Sequence, residues 1–217
     1  MQHYSLDIYS KEIEGFWQSL ELSIEQVLES REDDQFDAEL LLGDYREKLF
    51  RIDENLTFHF EVDEEGPIEM IFGCDGYPES IHSVLALVGS APQLSGIIFK
   101  AFNHRYDPIP NCINVAGEIC HLSDYWFSLK NSDDKLHLTL YMKKVPDILE
   151  TDPRVEAVMI FLDALIGEYE LMTRIWALDW IDIPKDPIDY SLKPLSELRV
   201  YFDEIKSDVA PIGITFH

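Results

Sequence analysis

Two acids and an arginine in the last third of the sequence could carry acid–base chemistry. Asp163 and Glu168 flank the end of an apolar helical segment, and Arg174 is the next basic residue along the chain. Two carboxylates beside a guanidinium could transfer protons. The same groups could fix a turn after a helix by ion pairing, which is the commoner role of such a trio. The loop that contains His104 and Arg105 could join them in binding a small molecule, so both interpretations stay open.

The cysteines lack the spacing of a metal or catalytic site. Cys112, Cys120 and His121 are the only local group of soft ligands, but zinc ligands usually come in pairs two to four residues apart. The even separation of the two cysteines is typical of core residues on one face of an unbroken strand. Cys74 lies in a strand-to-helix loop, where a nucleophile could sit, and no Gly-x-Ser-x-Gly elbow is present. We predict three unbridged thiols, no metal and no cofactor.

A phosphate-binding loop is not indicated by the glycines that surround Cys74. Gly73 and Gly76 lack the spacing of the known phosphate-loop fingerprints. Asp75 and Glu79 would lie near the start of the following helix, where they would stabilise the helix dipole and repel a phosphate. We interpret this segment as a turn.

Charge is the strongest compositional signal. The 217-residue chain has 17 basic and 42 acidic residues, a net charge of −25, with a net −14 in residues 1–65 alone. This field repels nucleic acid and anionic membranes, so we expect neither as a partner. It would speed encounter with a basic protein, although acidity can also serve solubility alone. No basic, apolar leader begins the sequence, and the apolar stretches are too short to span a membrane, so we expect a soluble cytoplasmic protein.

Helical periodicity is clearest near the N-terminus. Residues 11–30 show apolar side chains at i, i+3, i+4 and i+7, and Ser10 could cap the helix. This stripe predicts docking on the rest of the protein through six residues: Ile13, Phe16, Trp17, Leu20, Ile24 and Val27. The segment 31–35 breaks the pattern, and a second helix is predicted over 36–50. A third helix follows Pro78, a fourth begins at Pro153 after an Asp152 cap, and a last one opens at Pro194.

Strands are predicted between these helices. Alternation at 56–62 and the apolar run 68–72 indicate a hairpin, with the turn at 64–67. Further strands are predicted over 97–102, 113–119, 125–129, 136–142 and 171–182, with a hairpin loop at 131–134. We detect no internal repeat. Strands clustered between helices predict an α+β fold with a mostly antiparallel sheet and helices packed on one side. We expect one domain over 1–217, in which an N-terminal helical segment (1–52) packs on a sheet-and-helix core (53–217).

Several segments resemble an uncharacterised bacterial family, a domain of unknown function. The resemblance rests on an acidic Gly loop after a strand (71–76), Ala91-Pro92 after a helix, the stretch 99–105, and the Leu162-Asp163-x-x-x-Gly167-Glu168 turn. Residues 46–62 are also similar. The stretch 103–104 departs from the family pattern, in which a more basic or proline-containing loop is expected. The resemblance covers about half of the chain and implies a shared fold and lineage but no activity.

Two hypotheses of function follow from these observations. The first is a non-enzymatic acidic protein that binds or regulates a basic partner, in the manner of inhibitors and immunity proteins. The second is an enzyme or small-molecule-binding domain that uses Asp163, Glu168, Arg174, His104 and Arg105. A pocket that joins these five groups would favour the second hypothesis, whereas a wide acidic face would favour the first.

Overall fold

The protein consists of two compact units, Met1–Phe102 and Asn103–His217. The structure is a computed structural model, and it describes residues 2–29, 38–62, 66–133 and 135–206. The predicted α+β class is confirmed, with an N-terminal helix first. Within the described residues the strands form three sheets, two of them mixed, so the expectation of a single sheet is corrected. One domain over 1–217 stays a prediction.

The first unit places two helices before a small mixed sheet. Its elements are α1 (Gln2–Glu29), α2 (Ala38–Ile52), β1 (Thr57–Val62), β2 (Ile68–Gly73), α3 (Ile81–Gly89) and β3 (Ile97–Ala101). The order in the sheet is β1-β2-β3, and the first pair is antiparallel, as the hairpin pattern predicts. Strand β3 runs parallel to β2, because α3 carries the chain back across the sheet before β3 begins.

Helix α1 packs on its own unit through the predicted apolar stripe. Ile13, Phe16, Trp17, Leu20 and Ile24 are all buried. Trp17, 5% exposed, donates its indole N–H to Leu87 O of α3 at 3.1 Å. Its ring also meets Phe72 of β2 and Phe99 of β3 edge-on, with centroids 5.6 and 4.7 Å away. The predicted docking of the helix through this stripe is confirmed within the unit, and the Val27 side chain lies outside the described residues.

The second unit combines a four-stranded mixed sheet, a separate hairpin and three helices among its described residues. Its elements are β4 (Cys112–Val115), β5 (Glu118–His121), β6 (Trp126–Ser132), β7 (Lys135–Met142), α4 (Pro153–Ile166), α5 (Glu168–Arg174), β8 (Ile175–Asp182), β9 (Lys193–Pro194) and α6 (Leu198–Ile205). The sheet order is β8-β7-β6-β9, with β7 and β8 parallel and the other neighbours antiparallel. Helix α4 is buried along most of its length, so it forms the centre of this unit's core.

The predicted strand over 113–119 is wrong, because the chain turns back in the middle. Ala116 and Gly117 both have positive φ, 50° and 87°, as a two-residue type I′ hairpin turn requires. Asn114 Oδ1 accepts the Gly117 N–H at 3.0 Å and supports the turn. Cys112 and Cys120 therefore lie on opposite strands, with Cys112 facing His121 in the register and Cys120 facing Ile113. The expectation that both cysteines lie on one face of a single strand is therefore wrong as well.

The predicted strand over 171–182 is wrong in its first part. Residues up to Arg174 form α5, and β8 begins only at Ile175. Gly167, with φ of 89°, ends α4 and lets the chain enter a second helix at once. Three consecutive buried residues, Leu171 to Thr173, fit a helix packed on a core better than an alternating strand. Glu168 therefore opens a helix rather than a strand.

The predicted helix limits hold in part. Asp152 caps α4, since its Oδ1 accepts the Arg154 N–H at 2.9 Å, and Pro153 occupies the first turn. Ser10 is not a cap, because α1 already begins at Gln2, and Pro194 belongs to β9, ahead of α6. Some of the remaining predictions fall outside the described residues, namely the break at 31–35, the start of α2 at 36, the turn at 64–65, and residues 134 and 209.

Candidate functional site

The C-terminal end of α4 gathers three of the five residues singled out from the sequence: Arg105, Asp163 and Glu168. The last carbonyls of a helix have no partner inside the helix and need donors from elsewhere. Here the Tyr106 N–H donates to Ala164 O at 3.0 Å. Two arginines cover the other carbonyls of this end.

Arg105 binds both the helix end and a neighbouring acid. Its Nε donates to Ile166 O at 3.1 Å, while Nη1 and Nη2 donate to the two carboxylate oxygens of Asp203 at 2.7 and 2.8 Å. This bidentate pairing is the main reason that the pKa of Asp203 falls to about 2, with Lys206 also contributing. The same hydrogen bonds raise the pKa of Arg105.

Arg199 is the second arginine at this helix end, and the sequence did not single it out. Its Nε donates to Leu165 O at 2.9 Å, and its Nη2 donates to Ala164 O at 2.7 Å and to Tyr106 O at 2.6 Å. One guanidinium thus binds three carbonyls on two chain segments. No local pattern could have revealed this role, because Arg199 lies more than thirty residues after the helix that it caps.

Glu168 and Asp163 are connected through the backbone and amide of Asn103. Glu168 is only 5% exposed, and its Oε2 accepts the Asn103 N–H at 2.9 Å. In return the Glu168 N–H donates to Asn103 O at 3.0 Å. The Asn103 side chain reaches Asp163 Oδ2 at 3.4 Å. Both predicted acids therefore contact Asn103, and their hydrogen bonds hold the segment that follows Phe102.

Gly167 is required by its backbone conformation and not by the space around it. A Cβ added there would meet Asn103 O at 3.6 Å and Arg105 Cγ at 3.8 Å, which is ordinary contact, but its φ of 89° strains any other residue. The Asp163-x-x-x-Gly167-Glu168 sequence thus encodes a helix end, a positive φ and a buried carboxylate in order. This geometry ends α4 and lets Glu168 bind Asn103.

Arg174 and His104 have other surroundings. Arg174 Nη1 donates to Lys206 O at 3.4 Å, and its Nε lies 3.4 Å from Glu170 Oε2, a buried oxygen without an aligned hydrogen bond. Glu170 is an acid of the same helix that the sequence analysis did not consider. His104 is exposed. The expected pairing of Arg174 with Asp163 or Glu168 stays a prediction.

A second polar cluster lies in the first unit around Asp53. Its Oδ1 accepts the Ser80 hydroxyl at 2.9 Å and the Asn55 N–H at 3.1 Å, and its Oδ2 accepts the Ser83 hydroxyl at 2.6 Å. Both serines are buried. Ser83 therefore donates to the acid directly, whereas a catalytic serine would donate to a histidine. His82 Nε2 is 3.5 Å from the Ser83 hydroxyl. Because Asp53 accepts hydrogen bonds from both serines, the cluster anchors the start of α3.

Tyr9 of α1 lies beside this Asp53 cluster. Burial raises the pKa of the Tyr9 hydroxyl, and the nearby Asp53 carboxylate raises it further. The hydroxyl oxygen is buried and has no aligned hydrogen-bond partner among the described residues. The Tyr9 ring also stacks near His82, with centroids 6.4 Å apart.

A pocket of about 280 Å³ opens in the second unit, away from the predicted residues. It lies along β6, and its other walls are Tyr141 of β7, residues 190–193, and Tyr201 and Ile205 of α6. Its walls are mostly apolar and aromatic, and Lys130 and Lys193 also line it. The sequence analysis did not find this pocket, because its lining comes from four separate segments.

The three cysteines are free thiols, with Cys74 and Cys120 buried and Cys112 exposed. Cys120 hydrogen-bonds to Tyr125, and burial together with this contact raises the pKa of the Tyr125 phenol. Across the described ranges, no three His, Cys, Asp or Glu side chains are grouped closely enough to hold a metal ion.

None of the helices in the described ranges is both long enough and apolar enough to cross a membrane. Comparison with known proteins gives no relative: no family model, no curated protein and no solved structure matches the chain.

Proposed function

We propose that this protein is a non-enzymatic, acidic cytoplasmic protein that binds a basic protein partner, in the manner of an inhibitor or immunity protein. The observation that carries the proposal is an exposed face of α1, which we call the α1 stripe and define as Glu14, Gln18, Glu21 and Glu25. These residues recur at i, i+4, i+7 and i+11, so they share one side of the helix. Nucleic acid and anionic membrane would be repelled by this face.

The α1 stripe lies outside the buried face of the helix. All four side chains are exposed, whereas Phe16, Trp17, Leu20 and Ile24 are buried. Leu22, 85% exposed, adds one apolar side chain beside the acids. Glu14 accepts a hydrogen bond from Gln18 at 3.1 Å. Glu21 and Glu25 have no ion pair with any described residue, so their charge is available to a partner.

Four of the five residues proposed for a catalytic or small-molecule site support this proposal indirectly. Arg105, Asp163 and Glu168 are engaged in holding the end of α4, and Arg174 meets Glu170. A reactive group needs freedom to exchange protons or bind a substrate. Their contacts favour a structural role over a catalytic one.

The test compares capture of proteins by three forms of the chain from a lysate of its source organism. One form is the wild type, one carries Glu14→Gln, Glu21→Gln and Glu25→Gln, and the matched control removes three equally exposed charges of the second unit: Glu118→Gln, Glu150→Gln and Asp189→Asn. Glutamine keeps the helix propensity of α1 while removing its charge. Captured proteins are quantified by mass spectrometry at about 50 and about 500 mM salt, since screening weakens exposed charge contacts.

We expect one basic protein to be retained by the wild type and the control at low salt, and lost from the α1 variant and at high salt. Binding measured with the purified partner must show the same ranking, with the wild type and the control binding more tightly than the α1 variant. The proposal is wrong if the three forms capture the same proteins in the same amounts.

A further inference from the structure

The pocket along β6 has a charge that is opposite to that of the protein as a whole. The chain has a net charge of −25, yet the described residues that line the pocket include no acid. Its charged residues are Lys130 on β6 and Lys193 on β9. The charge of the lining is therefore reversed relative to that of the chain as a whole.

Among the described residues, some lysines are paired with acids and the two pocket lysines are not. Lys48, Lys100 and Lys206 each meet a carboxylate within ion-pair distance. Neither Lys130 nor Lys193 has such a pair among the described residues. Glu197 is near enough to contribute to the raised pKa of Lys193 but makes no ion pair with it, so both ammonium groups can still contact a bound anion.

Lys193 is held in position by an aromatic neighbour. Its Nζ lies 5.2 Å from the centre of the Tyr201 ring, within the range of a cation–π contact. A hydrogen bond with Tyr201 raises the pKa of Lys193 further above its ordinary value. The Tyr201 ring is fixed in turn by Phe127, with centroids 6.0 Å apart. The Lys193 ammonium is thus held at the pocket by the packed rings of Tyr201 and Phe127.

The open edge of β6 explains why there is space at this point. Strand β9 pairs with β6 only at Trp126 and Phe127. From Ser128 onward, β6 has β7 on one side and no strand on the other among the described residues. Tyr201 and Ile205 also line this space, which has a volume of about 280 Å³. This is near the lower end of small-molecule sites, roughly 300–1,000 Å³.

We propose that this pocket binds a small organic carboxylate with an aromatic or other apolar body. The carboxylate would lie between Lys130 and Lys193, and the apolar body against Phe127, Leu129, Leu192 and the tyrosine rings. Each lysine offers a compact ammonium with three donors, so two lysines can each contact one oxygen of a single carboxylate. The apolar walls would favour a ligand that removes a hydrophobic surface from water. This site is independent of the α1 stripe.

The experiment uses three matched probes with the ¹⁵N-labelled full chain. The first is 3-phenylpropanoate, the second is 3-phenylpropan-1-ol, which has the same body without the charge, and the third is acetate, which has the charge without the body. Binding is followed by shifts of the backbone amides of 128–130 and 191–193. We expect 3-phenylpropanoate to bind saturably there and about tenfold more tightly than either of the other probes.

Variants of the two lysines connect the binding to the charges. Lys130→Gln and Lys193→Gln should each weaken 3-phenylpropanoate binding by roughly threefold to tenfold, while the spectrum itself reports that the variants are folded. Lys185→Gln, an exposed lysine outside the lining, should leave the affinity unchanged. The proposal is overturned if the acid and the alcohol bind equally, if the shifts lie elsewhere, or if both pocket variants bind as the wild type does.

Discussion

At the residue scale, Asp203 has a carboxyl group whose titration depends on the fold. Arg105 binds both of its oxygens, and the pKa of Asp203 is lowered to about 2 from the usual value near 3.9. Because the pKa of Asp203 is lower in the folded protein, its ionised form stabilises the fold at pH values above the pKa of the unfolded chain. This contribution is lost as the pH falls from about 4 through about 2.

Asp203→Asn should therefore lower the free energy of unfolding at pH 7 and have a smaller effect at pH 3. The Asp203 side chain is 40% exposed, so solvent limits the expected loss to about 1 kcal/mol. Urea unfolding at both pH values, followed by near-ultraviolet circular dichroism, measures the change. Glu204→Gln, an exposed neighbouring acid, should have little effect at either pH. An equal deficit of the Asp203 variant at pH 3 and pH 7 would rule out this linkage.

At the scale of single elements, the end of α4 depends on side chains from distant segments. Arg199 of α6 binds Ala164 O and Leu165 O, and Tyr106 N–H binds Ala164 O as well. A local capping motif would supply these donors from the next few residues. Here a positive φ at Gly167 leads directly into α5, so the donors must come from elsewhere in the unit.

Arg199→Met should destabilise the protein by about 2–4 kcal/mol. The methionine retains much of the side-chain volume but leaves three part-buried carbonyls without their charged donor. Chemical denaturation with urea measures the loss. Arg51→Met provides the control, since Arg51 makes an exposed i,i+4 ion pair with Glu47 and should cost at most about 1 kcal/mol. Equal stability of Arg199→Met and the wild type would contradict the capping role.

At the scale of the whole molecule, each unit uses the same succession of strand, strand, helix and strand. In the first unit β1, β2, α3 and β3 follow this order, and in the second β6, β7, α4 with α5, and β8 do so. The second strand of each succession pairs antiparallel with the first and parallel with the last. No repeat is visible in the sequence, because a shared topology requires similar patterns of apolar residues but not the same residues.

The core of the first unit depends on Trp17 of α1. Trp17→Ala should cost roughly 3–5 kcal/mol, since it removes a buried indole that contacts α3, β2 and β3. The matched control is Trp176→Ala on β8, where the tryptophan is 50% exposed and the expected cost is about 1 kcal/mol or less. Urea unfolding gives both values. A similar cost for the two changes would mean that Trp17 does not connect α1 to the sheet.

Local patterns in the sequence determined which segments form most of the elements and which faces of them are buried. The apolar stripe of α1 was readable because a helix repeats every 3.6 residues. Asp152 and Pro153 marked the start of α4, since capping depends on neighbouring residues alone. The same patterns failed where a turn used an unusual residue, as at Ala116, or where two helices met without a loop, as at Gly167.

Only the tertiary structure decided which polar groups meet. Glu168 binds Asn103, Arg199 binds Leu165 and Asp53 binds Ser83, each across thirty or more residues of sequence. Lys130 and Lys193 likewise come to one pocket from different strands. A sequence specifies helices and strands through interactions between near neighbours, whereas these contacts depend on how the elements pack. The packing is set by burial of apolar surface, which is not directional and leaves no local mark on the polar residues that it brings together.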